Sequence, residues 1–195
     1  MTGRRVTGVV LAAGASRRLG TPKQLLPYRD TTVLGATLDV ARGAGFDQLI
    51  VTLGGAADAV RDQVSLDGID VVVVEDFGSG CSASLRVALE RVNPQSAGIV
   101  LMLGDQPRVD LATLRRVIAH GSSDITVCRY ADGVGHPFWF SRNMFGEISQ
   151  LHGDKGVWKL MGSGRHPVHE LAVSGSVPLD VDTWDDYRRL LESVP

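Results

Sequence analysis

Four short runs, Val6–Ala12, Gln48–Leu53, Val71–Glu75 and Gly98–Leu103, are dominated by Val, Ile, Leu and small residues with almost no polar alternation. A strand wetted on one face alternates apolar and polar side chains; a strand covered on both faces does not. These runs therefore predict buried strands between layers of helices. The segments between them change period. Thr32–Ala44 places Leu34, Leu38 and Ala41 on one helical face, Ser82–Val92 does so with Leu85, Ala88, Leu89 and Val92, and Asp110–His120 with Leu111, Leu114, Val117 and Ile118. Strand, helix, strand in this rhythm gives right-handed βαβ units and a mostly parallel sheet, an α/β class.

Beyond about residue 122 the rhythm loosens. Asp124–Arg129, His136–Phe140 and His166–Val173 read as further strands, some antiparallel at the sheet edge, with helices over Arg142–Leu151 and Lys155–Met161. The chain closes on a helix, Thr183–Leu191, capped by Thr183 with Asp185 and Asp186 in its first turn, where the macrodipole favours them. With no linker or repeat, residues 1–195 are expected to form a single domain. Ligands of open α/β sheets bind beyond the carboxyl ends of the strands, so the loops after Ala12, Leu53, Glu75 and Leu103 are expected to share one rim.

Twenty Lys+Arg against twenty-two Asp+Glu leave a net charge of -2, with no basic excess to neutralise a nucleic acid or an anionic membrane. Cys81 and Cys128 have neither CxxC spacing nor a His cluster, and the Val6–Ala13 run is too short for a membrane span, so a cytoplasmic protein is expected. The basic residues are seventeen Arg and only three Lys: Lys23, Lys155 and Lys159. Two of these, Lys23 and Lys155, fall in glycine-containing loops, where a compact ammonium can meet a phosphate. A locally cationic cleft is the expectation.

Three segments carry chemistry. Leu11-Ala-Ala-Gly-Ala-Ser-Arg-Arg-Leu-Gly-Thr-Pro-Lys23 follows the first strand; its small residues allow close backbone approach to an anion, and Arg17, Arg18 and Lys23 add cations. It is neither a P-loop nor a G-x-G-x-x-G turn, and taken bare it is also compatible with a tight connection. Leu103-Gly-Asp-Gln-Pro107 closes another strand and projects Asp105 from the rim. Facing phosphates, that carboxylate requires a hard cation such as Mg²⁺, although Asp before Pro also simply forms turns. In Leu179-Asp-Val-Asp-Thr-Trp184, alternation sets Asp180 and Asp182 on one side, with Thr183 free to cap the helix.

Together these motifs resemble the MobA-like nucleotidyltransferases. Gly135-His-Pro-Phe-Trp-Phe140 and Gly153-Asp-Lys-Gly156 resemble the molybdenum cofactor cytidylyltransferases more narrowly, and Leu11-Ala-Ala-Gly14 resembles the CTP-using branch. The resemblance implies a Rossmann-like three-layer sandwich of the nucleotide-diphospho-sugar transferase type. It implies Mg²⁺-dependent transfer of CMP from CTP to the terminal phosphate of molybdopterin, with the product passing to a molybdoenzyme or its maturation chaperone. By position, nucleotide binding falls to Leu11, Ala12, Ala13, Gly14, Ser16, Arg17, Lys23, Ser82 and Ser84. Catalysis falls to Arg18, Lys23 and Asp105, the metal to Asp105 and Asp182, and the acceptor to His136 and Lys155. Cys81 and Ala83 stand where relatives carry serines, which leaves the individual base contacts open. So do the alternatives: GTP, a sugar or alditol phosphate as acceptor, or a non-catalytic carrier of the cofactor.

Overall fold

The computed structural model describes residues 4–76, 80–121 and 123–192. In chain order the elements are β1 (Val6–Ala12), β2 (Pro27–Tyr28), β3 (Thr31–Thr32), α1 (Val33–Gly43), β4 (Gln48–Leu53), α2 (Ala57–Gln63), β5 (Asp70–Val73) and α3 (Cys81–Leu89). There follow β6 (Gly98–Leu103), α4 (Leu111–His120), β7 (Ile125–Arg129), β8 (Val134–Ser141), α5 (Phe145–Ile148), α6 (Gly156–Gly162), β9 (Val168–Ala172) and α7 (Trp184–Glu192). Seven strands form one sheet in the order β5-β4-β1-β6-β8-β7-β9, and β2 and β3 form a separate small hairpin.

β1 is central because it is buried along its whole length. It pairs in parallel with β4 on one side and β6 on the other. Side chains alternate between two cores. Val6, Val10 and Ala12 join Leu34, Leu38 and Ala41 of α1 and Leu114 and Val117 of α4. Val9 and Leu11 join Leu85 and Ala88 of α3, Ile148 of α5 and Leu160 of α6. This two-sided burial is what the unalternating sequence runs demanded, and it makes three layers. Helix starts follow local chemistry: Thr32 accepts from the Gly35 amide at 3.0 Å and Asp110 from the Thr113 amide at 3.0 Å. At α7 the capping is reciprocal, with the Asp186 amide donating to Thr183 Oγ1 and the Thr183 amide to Asp186 Oδ2.

The reversed strand is not at the edge. β8 is antiparallel to both β6 and β7 and lies between them, while the edge strand β9 runs parallel to β7. The reason is aromatic: Phe138, Trp139 and Phe140 are each at most 1% exposed, so both faces of β8 must be covered, and an edge position cannot do that as well. β9, with His169 and Glu170 exposed, carries the polar side chains that suit an edge. The expected helix over Arg142–Leu151 is a 3-10 turn, Arg142–Met144, followed by the single turn of α5. The seven-residue α2 buries only Ala57 and Val60, too few apolar positions to show a period, and the β2–β3 hairpin is shorter still. Among the described residues no helix is long and apolar enough to cross a membrane.

Where β6 passes β8, Gly98 is fixed by space: an added Cβ would stand 2.3 Å from the Phe140 carbonyl oxygen and 2.6 Å from the Trp139 ring. Gly146 in α5 meets nothing within 4 Å. Gly98→Ala is expected to cost about 2 kcal/mol in urea denaturation through overpacking, whereas Gly146→Ala is expected to be neutral or to gain about 0.5 kcal/mol.

Candidate functional site

In this strand order the direction of progression reverses between β1 and β6, the switch point at which open α/β sheets leave a crevice. A cleft of about 640 Å³ opens there. Leu11, Ala12, Ala13, Gly14, Ser16, Arg17, Arg18 and Lys23 all line it, as do Ser84, Asp105, Lys155 and Asp182. The expected common rim extends to the loop after β4, whose Gly55 and Ala56 face the 14–17 loop across an adjoining cavity.

The loop after β1 is held by its own polar groups. Ser16 sits at φ 50°, which turns its carbonyl to accept from the Leu19 and Gly20 amides, both at 3.1 Å, while its Oγ accepts from the Lys23 amide at 2.9 Å. Gln24, 3% exposed, donates to the carbonyls of Ala12 at 2.6 Å and Gly14 at 3.1 Å. Sequence reasoning passed over Gln24; its signal was a polar residue directly after Lys23 where the next turn had to be anchored. These bonds fix the backbone and leave Arg17, Arg18 and Lys23 to face the cleft.

At the centre, the Lys23 ammonium donates to Asp105 Oδ2 and, at 2.8 Å, to Asp182 Oδ1, and Arg18 Nη2 holds Asp182 Oδ2 at 2.7 Å. Asp182 arrives there through the C-terminal segment: the Val181 amide donates to the Asp105 carbonyl at 3.2 Å, and Val181 is fully buried with Leu19, Leu26, Tyr28, Val33 and Leu190. Burial opposes the Lys23 charge, but the Asp105 carboxylate, with Asp182 beside it, outweighs burial and raises the lysine's pKa above its ordinary value. For Asp182, burial works upward, yet Lys23 and Arg18 prevail and hold its carboxyl below the usual range.

The cleft is charge-balanced rather than cationic. Arg17, Arg18, Lys23 and Lys155 are matched on its walls by Asp105, Asp154, Asp180 and Asp182. Sequence proximity singled out the cations because three of the four cluster in one loop; the acids come from three separate segments. Asp180, held by Gln106 Nε2 at 2.7 Å, has its pKa pushed up to about 6, first by burial and then by the like charge of Asp105. Among the described residues no group of three or more acidic, His or Cys side chains forms a cage for a metal. The fit to a divalent cation is narrower: oxygens of Asp105 and Asp182 converge on one point, which an ammonium occupies. Two carboxylates suit a hard cation that draws its remaining ligands from phosphate and water, as Mg²⁺ does.

Two candidates do not reach the cleft. Ser82, 2% exposed, spends its hydroxyl on the Gly153 carbonyl at 2.6 Å, tying α3 to the 153–156 turn. The same junction explains Gly80, at φ 89°, where a Cβ would stand 2.6 Å from Asp154 Oδ1, and it makes Asp154 Oδ1 the acceptor for the Cys81 amide at 3.0 Å. His136 packs its ring 4.0 Å from Phe138, and its carbonyl accepts from the Tyr130 hydroxyl at 2.7 Å. Burial pushes its pKa down to about 3, so the imidazole is neutral, and it is not among the residues that line the cleft. Cys81 lines the cleft, but burial and the carboxylates of Asp154 and Asp105 push its thiol up to about 11, opposite to what a helix start alone implies.

The family described as MobA-like NTP transferase domain matches residues 8–169. Nicotine blue oxidoreductase of Paenarthrobacter nicotinovorans is 31% identical over 95% of this chain and 96% of its own length. Purine catabolism protein PucB of Bacillus subtilis is 27% identical over 92% and 93%. Among solved structures, Rv0371c of Mycobacterium tuberculosis is 77% identical with a TM-score of 0.95, covering 99% of this chain and 100% of that one. A second structure of Rv0371c, in complex with manganese, is 73% identical with a TM-score of 0.91 over 98% and 100%. A nucleotidyl transferase from Methanothermobacter thermautotroptrophicus is 27% identical with a TM-score of 0.82 over 97% of each chain.

The buried imidazole has a consequence for stability. Because the folded pKa of His136 lies near 3 and the ordinary value is 6.5, the unfolded chain takes up a proton that the folded chain refuses. Stability is therefore lost as the pH falls below 6.5, by about 3 kcal/mol down to roughly pH 4.5. Denaturation curves across this window are expected to show that slope, and His136→Leu is expected to flatten it.

Proposed function

The chain belongs to the MobA-like NTP transferase domain family, and within it we propose that the protein transfers CMP from CTP to the terminal phosphate of a molybdopterin-type cofactor, releasing pyrophosphate. The observation that carries this reading is the convergence of Lys23, Asp105 and Asp182 at the switch point, beside a loop of small residues and two arginines. CTP is supported by the Leu11-Ala-Ala-Gly14 form, and the acceptor by the Gly153-Asp-Lys-Gly156 turn, which brings Lys155 to the cleft.

An oxygen of the acceptor phosphate attacks the α-phosphorus of CTP, the bond to the β-phosphate oxygen breaks, and pyrophosphate carries away the charge. A phosphate nucleophile is already ionised near neutral pH, so no side chain has to remove a proton, in keeping with the burial of His136. The work left to the chain is positioning and charge compensation. In this reading the backbone from Leu11 to Gly14 and Ser16 bound the nucleotide, with Ser84 on the facing wall. Arg17, Arg18 and Lys23 offset the triphosphate, and Lys155 holds the acceptor phosphate. Asp105 and Asp182 are the groups that would hold a divalent cation, Mg²⁺ here, which when bound supplies charge neutralisation and polarises a phosphoryl oxygen. The manganese in the Rv0371c structure supports a divalent ion of this kind.

Pyrophosphate release is expected with CTP and molybdopterin and not with GTP or with a sugar or alditol phosphate. Release with one of those pairs instead would reassign the substrate within the same chemistry. Molybdopterin binding with no pyrophosphate from any nucleotide would point to a carrier. Turnover of a nicotinamide cofactor without pyrophosphate would carry over the redox chemistry in the name of the Paenarthrobacter relative. Asp105→Ala is expected to lower pyrophosphate release by about 100-fold or more with an unchanged circular dichroism spectrum; near-normal turnover would remove Asp105 from the site.

A further inference from the structure

Three carboxylate oxygens at the cation position already hold positive side chains: Asp105 Oδ2 and Asp182 Oδ1 share the Lys23 ammonium, and Asp182 Oδ2 holds Arg18. The side chains of Lys23 and Asp105 are each only 14% exposed, so water screens this contact far less than it screens a surface pair. An ion approaching alone has to displace an ammonium that bonds both carboxylates, and it meets the repulsion of that cation and of Arg18. We infer that Lys23 is a placeholder cation that competes with a free divalent ion for these two carboxylates, so that the metal binds weakly by itself and more tightly together with a triphosphate. This rests on the assignment of Asp105 and Asp182 as the carboxylates of the cation site.

The lysine is built to change partners. Its four-carbon stem is flexible, and its ammonium is a compact point charge with three rotatable donors, so it can trade carboxylate for phosphate oxygens without a backbone change. The stem already runs along the small-residue loop: Lys23 Cε lies 3.7 Å from where a Cβ on Gly14 would stand. A triphosphate beside that loop competes for Lys23 and Arg18 with several negative charges and leaves the two carboxylates to the ion that accompanies it. With Arg18 65% exposed, the second clamp on Asp182 is the weaker one. Lys23 is thus the residue that selects a metal–nucleotide complex over the free ion.

The test is Mn²⁺ binding to the nucleotide-free full chain, read by electron paramagnetic resonance of the free ion and by the melting temperature at fixed Mn²⁺. Lys23→Met is expected to bind Mn²⁺ at least tenfold more tightly than the wild type and to gain more melting temperature from it. Lys23→Arg, which keeps the charge, is expected to stay as weak as the wild type. Should the methionine variant fail to fold by circular dichroism, Lys23→Gln, neutral but still a hydrogen-bond donor, replaces it with the same expectation. Equal or weaker Mn²⁺ binding in the neutral variant overturns the placeholder role, provided that adding Asp105→Asn to that variant still abolishes binding. If Mn²⁺ binds as tightly in the double variant, the carboxylate assignment is wrong and the inference falls with it.

Discussion

The ammonium of Lys23 satisfies two carboxylates that reach it from 82 and 159 positions further along the chain. Two carboxylates this close in a semi-enclosed cleft repel each other unless a cation lies between them, and among the described residues Lys23 is the side chain that bonds both. The strand order has to set the carboxyl ends of β1 and β6 side by side so that the loop bearing Lys23 and the loop bearing Asp105 share a wall. The C-terminal segment has to return across that rim, which it does by burying Val181 and bonding its amide to the Asp105 carbonyl. The β2–β3 hairpin and α7 serve this return: Tyr28 and Leu190 are buried in the same small cluster, and the Tyr187 hydroxyl donates to the Pro27 carbonyl at 2.6 Å.

Charge balance in the cleft narrows what it can accept. Four cations matched by four carboxylates do not make a sink for polyanions in general. They favour a ligand whose own negative charge can take over the cations while a metal takes over the carboxylates, which is the charge pattern of a metal-bound nucleoside triphosphate. The pKa of Asp180, raised to about 6, belongs to the same arrangement: it is the third carboxylate in a space where one lysine already serves two.

Much of this was legible before any coordinates. The bounds of β1, β4 and β6 coincide with the apolar runs, because a strand buried on both faces records its length directly as an unbroken apolar segment. Thr183 caps α7 as expected, and Thr32 and Asp110, the first residues of the expected helical segments, cap α1 and α4, because capping is a local bond over three residues. Other features left no local trace. Ser82 and Ser84 are indistinguishable in a Ser-rich turn, yet one faces the cleft and the other bonds Gly153, a choice set by where the 153–156 turn packs. His136 has the same neighbours in sequence whether or not it lines the cleft, and the interior placement of β8 is what packs it against Phe138.

What the sequence by itself determined is everything carried by short-range periodicity and by the order of motifs: the α/β class, the parallel units, and the three segments that hold the charged residues. What only the tertiary structure decided is which of those charges meet. The sheet reversal at β1 and β6 and the burial of Val181 bring Asp105 and Asp182 to opposite sides of one ammonium. A Coulomb interaction depends on distance in space, and a loop that is cationic in sequence becomes part of a neutral cleft once the chain has closed around it.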